Sequence, residues 1–154
     1  NPATEDSEGE RTYACTVCSA KKTEVIPKIE RNERSIGTIE ELQKFASEVD
    51  GGNTFKGWTI TLTADIDATG IEWNPIGEFV KAADYKAFAG TFDGCGHTVR
   101  INAAGTDKSG VGFIAVNEGT VKNLTVEGSV SGKSYVGGIV GYNLGTISGC
   151  TNKA

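Results

Sequence analysis

The chain has 154 residues, a formal net charge of −5, 38% hydrophobic residues and 21 glycines. Its length accommodates one domain with a short appendage. The acidic balance argues against nucleic-acid or anionic-membrane binding, which needs a basic surface, and no apolar run approaches the roughly 18–20 residues of a membrane-spanning helix. Abundant glycine with Thr, Val and Ile points to strands and tight turns. The opening residues do not read as a secretory leader, so the chain is expected to be a mature form or a piece of a longer protein.

In chain order, residues 1–11 are acidic and polar and read as an unstructured lead-in. Thr12–Ala14 and Thr23–Ile26 are β-prone segments on either side of Cys15 and Cys18, a pattern that fits a small hairpin. Pro27 ends it, and the charged run Ile29–Ser35 reads as a linker. Residues 1–35 thus form a first, small module. The CxxC pair lacks the second pair, or the histidines, that a tetrahedral zinc shell needs: His97 is the only histidine and lies far away, so no metal is expected. A staple within the pair, or free thiols, remain as alternatives. Cys95 and Cys150 are isolated.

A second region, 36–154, opens with a helix. Thr38 supplies an N-cap hydroxyl and Glu41 completes a capping box. Ile39, Leu42, Phe45, Ala46 and Val49 share one face at helical spacing, and Gly51-Gly52 stops the run. Trp58–Asp67 alternates apolar and polar residues as a half-buried strand does. Gly70–Gly77 turns on Pro75, and Glu78–Ala87 breaks the rhythm as a loop. From Phe88 onward short strands alternate with Gly, Asn and Asp, and no helical period is long enough for a βαβ unit.

These short strands repeat. Gly112–Thr125 and Gly138–Thr151 match at a shift of 26 residues, with Asn117/Asn143, Gly119/Gly145, Thr120/Thr146 and Thr125/Thr151 identical; Gly90–Val99 reads as a fainter copy 22 residues upstream of the first. Such periods mark architectures in which each unit buries its face on the next. The reading is an all-β fold, a parallel β-helix of about four coils, with an antiparallel sandwich as structural rival. Matched asparagines favour the solenoid, because stacked Asn side chains bond to one another and to turn backbone. The helix then caps the first coil, while nothing in Gly149–Ala154 resembles a cap. The last coil is expected to present an open strand edge, sealed by a further repeat or by another copy of the chain.

The segments IEELQKFASEVDGGNTFKGWTITLTADIDATGIEWNPIG, FAGTFDGCGHTV, GTVKNLTVEGSV and YVGGIVGYNLGTISGCT together resemble the GLUG-motif repeats of bacterial surface proteins. Related repeats occur in the non-catalytic N-terminal region of IgA-specific metalloproteases. The resemblance covers about residues 36–154 and implies a right-handed parallel β-helix on a secreted or wall-attached, adhesin-like protein. Residues 3–28 resemble a short cysteine module of bacterial surface proteins. That module usually has a further Cys where Glu5 stands, and flanking histidines that Ile29–Ser35 lacks.

Chemistry has few places to reside. Asp65, Asp67 and Asp93, with Glu72 nearby, could pair as the two acids of a polysaccharide-cleaving site or hold calcium. The plainer reading is that they bond to turn amides. Cys95 and His97 could form a nucleophile pair, against a solvated turn histidine; Cys150 aligns with Leu124 and reads as core. Trp58, Trp73, Tyr85, Tyr135 and Tyr142 could stack on sugar rings; of these Trp73 and Tyr142, beside Gly and Asn turns, are the candidate platforms, against a packing role. The leading expectation is a non-enzymatic scaffold for adhesion or presentation, extracellular or on the cell surface, with no cofactor. Its expected partners are a host or matrix glycan or protein and further repeats of the parent chain; the alternative is a carbohydrate-active β-helix or glycan-binding module.

Overall fold

The computed structural model describes the backbone of Gly9–Ala14 and Lys21–Ile26, and residues 32–154 in full. Two units divide between Asn32 and Glu33. In the first, β1 (Gly9–Ala14) pairs antiparallel with β2 (Lys21–Ile26), Thr12 opposite Thr23. The expected hairpin is present, and its first strand begins at Gly9, inside the stretch read as lead-in. Cys15 and Cys18 lie outside the described residues.

The second unit winds. β3 (Glu33–Ile36) leads through Thr38 into α1 (Ile39–Asp50). The second turn holds β4 (Thr59–Leu62), β5 (Ile66–Asp67) and an antiparallel hairpin of β6 (Glu78–Lys81) and β7 (Asp84–Lys86). The third holds β8 (Thr91–Asp93), β9 (Thr98–Val111) and β10 (Ile114–Asn117). The fourth holds β11 (Thr120–Lys122), β12 (Thr125–Val136) and β13 (Val140–Asn143), and β14 (Thr146–Ser148) and β15 (Thr151–Lys153) begin a fifth. Apart from the β6–β7 hairpin, strands of this unit stack with their counterparts one turn away. β3, β4, β8, β11 and β14 form one parallel face, β5, β9, β12 and β15 a second, and β10 with β13 a third. This is a parallel β-solenoid of about four turns, and the sandwich is excluded because neighbouring strands on every face run parallel.

Register explains the pattern of side chains. Glu33, Thr59, Thr91, Thr120 and Thr146 stand in one column, so successive turns take 26, 32, 29 and 26 residues. One position on, Ile60, Phe92 and Val121 stack inward at 0% exposure. Each such burial contributes about 1.5–3 kcal/mol. The 26-residue register holds, with Asn117 opposite Asn143 and Thr125 opposite Thr151, which brings Leu124 beside Cys150. The 22-residue copy does not: Thr91 stacks on Thr120 and Thr98 on Thr125. The turn Gly94–His97 is two residues longer than its counterpart Asn123-Leu124, so no single shift aligns the third turn with the fourth. The glycines preceding the threonines are there for closeness. A Cβ on Gly119 would overlap the carbonyl oxygen of Gly90, and one on Gly145 that of Gly119.

Three further expectations change. Trp58–Asp67 is not one strand: it breaks between Leu62 and Ile66, where the chain turns from the first face to the second, and its inward alternation survives the corner. The charged linker enters the first face at Glu33. The loop at Glu78–Ala87 is the β6–β7 hairpin. The helix, by contrast, matches its reading, with the Thr38–Glu41 capping box complete and Leu42, Phe45, Ala46 and Val49 buried. In the first turn it stands where later turns place strands of the second and third faces. Phe45 meets Phe55, Phe88 and Phe92 with ring centroids 4.9, 5.6 and 6.0 Å apart. Arg34, in the inward column below Ile60, is neutralised by Glu48 of the helix and lies over the Phe55 ring.

Candidate functional site

Three features concentrate polar or aromatic side chains, and the first is the corner between the first and second faces. Asp65 accepts hydrogen bonds from the Thr98 N–H (2.9 Å) and pairs with His97 Nδ1 (3.1 Å). Those contacts hold its carboxyl below the ordinary range. Asp67 accepts from the Thr69 hydroxyl (2.6 Å) and N–H (3.0 Å), which lower it likewise. Asp93 is partly desolvated, which pushes it up, but the Cys95 N–H, the Asn123 amide and Lys122 together outweigh that and leave it lowered. All three carboxylates therefore serve as anions for turn donors, whereas cleavage of a glycosidic bond needs one acid held protonated by a raised pKa. Cys95 sits in the turn at φ +51°, and its thiol is pushed up by desolvation and by Asp93. An activated nucleophile requires a shift the other way. His97 bonds to Asp65, and Cys150 packs against the core and donates to the Ser148 carbonyl.

Second, ladders run up the outside. Asp67, Arg100, Glu127 and Lys153 occupy one column with alternating sign. Arg100 and Lys153 lie 3.0 and 3.3 Å from Glu127, and these two partners, Arg100 first, lower its pKa. Exposed pairs of this kind are screened by water and contribute little to stability. Asn117 is fully buried, donates to Asn143 Oδ1 at 2.8 Å and accepts from the Gly119 N–H at 3.1 Å. Asn143 repeats that turn with Gly145. Both are scaffold.

Third, the outer side of the third face carries rings. The β6–β7 hairpin covers β10, which is buried along its whole length. Phe79, Tyr135 and Tyr142 meet in a triad with centroids 4.8, 4.9 and 5.2 Å apart, and Tyr85 joins at 6.5 Å from Tyr142 while donating to Glu118 Oε1 (2.7 Å). Tyr142 is thus half-buried within a cluster. Trp73 is not a platform: it is 3% exposed, its ring stacks on Phe113 at 5.5 Å, and its indole N–H donates to the Phe113 carbonyl. The indole needs a buried acceptor, and the neighbouring turn supplies one.

Beside the triad runs a cleft of about 490 Å³, lined by Phe79, the Asn74–Gly77 turn and the Asp107–Gly110 segment. A smaller one of about 230 Å³ shares Asn74, Pro75, Lys108 and Val111 with it and continues towards Glu72 and Ala104. At the floor, Asp50 accepts from the Gly77 N–H (2.8 Å) and the Asn74 amide (3.0 Å); desolvation outweighs these bonds and raises its pKa. Tyr135 is among the aromatic residues read as able to stack on sugar rings, whereas Phe79 has no part in the sequence reading of a site. A signal exists in Ser109-Gly110-Val111-Gly112 and Ser134-Tyr135-Val136-Gly137, which match at a shift of 25.

Residues 132–154 match the family model of the GLUG motif, so this part of the chain is a GLUG repeat, on β12 to β15 of the solenoid. Halomucin from Haloquadratum walsbyi is 34% identical over 112 residues, covering 67% of this chain and 1% of halomucin. The chain therefore spans a very small part of that relative. No solved structure matches the chain.

Proposed function

We propose that this solenoid is a non-enzymatic module of a secreted or cell-surface bacterial protein, acting as an adhesion or presentation scaffold. The observation that carries the reading is the use made of its polar residues. Asp65, Asp67, Asp93, Asn117 and Asn143 are each bonded to the backbone of a turn, so chemistry-bearing side chains serve the stacking. β14 and β15 each pair on one side, with the GLUG motif ending on them. Further repeats of a parent chain would extend both faces in the same register. The match to 1% of halomucin supports one unit within a much longer protein.

The competing reading, polysaccharide cleavage by Asp65, Asp67 or Asp93, has less behind it, because all three pKa values are lowered. Two measurements test the proposal. Antibody to the module should label intact source cells or their medium, and the purified chain should release no new reducing ends from a panel of polysaccharides. Labelling only after lysis would overturn the location. Reducing-end release that disappears in Asp93→Asn would overturn the scaffold.

A further inference from the structure

β9 carries two more residues than β12 where the register shifts between Gly132 and Ser134, and beyond that shift Ser134 stands opposite Ser109 and Val136 opposite Val111. Tyr135 therefore occupies the place that Gly110 holds one turn earlier. Both have left-handed backbone, φ +71° at Gly110 and +52° at Tyr135. Glycine adopts that conformation freely, while a tyrosine there is strained. The fourth turn thus carries an aromatic side chain at a position whose backbone calls for glycine, and that residue is 51% exposed. A ring kept only for packing would be covered. This one leans on Phe79 and Tyr142 and leaves much of its surface to solvent.

Phe79 also lines the larger cleft, so the triad and the cleft form one surface. The cleft continues into its smaller neighbour as an elongated groove. Its walls offer the Asn74 amide, the Ser109 hydroxyl and the Lys108 ammonium as hydrogen-bonding groups. Asp50, Glu72, Glu78 and Asp107 make the groove acidic overall. We infer that the Phe79–Tyr135–Tyr142 triad and the adjoining groove bind a pyranose oligosaccharide without acidic groups. The ring face stacks on the axial C–H bonds of a sugar, the groove accommodates an extended chain, and its polar groups meet hydroxyls. The surplus carboxylates repel uronates and sulfated sugars. This inference goes beyond the scaffold reading and does not depend on it.

The test uses the whole chain with cellohexaose, hexa-N-acetylchitohexaose and polygalacturonate, followed by calorimetry and by proton NMR. At least one of the two uncharged hexasaccharides should bind with Kd on the order of 0.1–1 mM, and polygalacturonate should not. Tyr135→Gly should weaken that binding about tenfold or more while the unfolding midpoint stays or rises, because the strained backbone is relieved. A purely structural ring predicts the reverse: a lower midpoint and unchanged binding. In the unaltered chain, bound sugar should shift the ring-proton resonances of Phe79, Tyr135 and Tyr142. Absence of binding by both uncharged sugars, equal binding by Tyr135→Gly, or shifts confined to other residues would each overturn the inference.

Discussion

At the first turn of the solenoid Ile36 and Phe45 are completely buried, whereas at the last Ile147, in the same column as Ile60, Phe92 and Val121, is 39% exposed and Leu144 is 50% exposed. The strands differ little; what lies beyond them differs. On one side α1 lays its stripe over the inward column and Glu48 neutralises Arg34, while on the other β14 and β15 have a turn on one side only. Inward residues of a solenoid are buried by two neighbours, so a column's energetic value is set by its position along the axis rather than by its residue type.

The sharpest way to break that comparison is to remove a large side chain at each end. Phe45→Ala should cost about 3–5 kcal/mol in denaturant unfolding, since the ring is fully buried among three others. Ile147→Ala should cost on the order of 1 kcal/mol or less, and Glu41→Ala, which removes one side of the capping box, about 0.5–1 kcal/mol. An unchanged midpoint for Phe45→Ala would mean the helix does not close the core.

The Asn ladder repeats the contrast at smaller scale. Asn117→Ala removes a fully buried amide that bonds both Gly119 and Asn143 and should cost about 1–2 kcal/mol, while exposed Asn143 should lose only about 0.5 kcal/mol. Equal losses would show that position along the axis does not govern the ladder.

The smallest effects are in pH, and they have opposite signs in two places. Asp93 has a lowered pKa when folded, so its stabilisation is present above the unfolded carboxyl value of about 4 and fades as pH falls through the folded one. Asp50 has a raised pKa; its contribution is present in acid and is lost as pH rises through the folded value. Asp93→Asn should therefore be more destabilising at neutral pH than at about pH 3, and Asp50→Asn less so. Unfolding curves at the two pH values check both signs, and matching signs would refute the assigned environments.

Much of this was legible in the sequence. Thr38 and Glu41 lie three residues apart, and a capping box is local enough to be read without a fold. Asn117 and Asn143 carry the exact repeat because the fourth turn has no insertion between those corners, so spacing along the chain equals spacing along the axis. Tertiary structure decided the rest. The two extra residues at Gly94–His97 displaced the register of the third turn, which made a 22-residue match of Gly90, Thr98 and Val99 a coincidence of letters. Trp73 became core because Phe113, forty residues later, supplies both its stacking face and its acceptor. The ring triad joins Phe79 from a hairpin of the second turn to Tyr135 and Tyr142 of the fourth. Strand period, caps and equal turns are set by neighbours in the chain, whereas which side chains share a surface is set by how unequal turns stack, and that depends on contacts no local pattern contains.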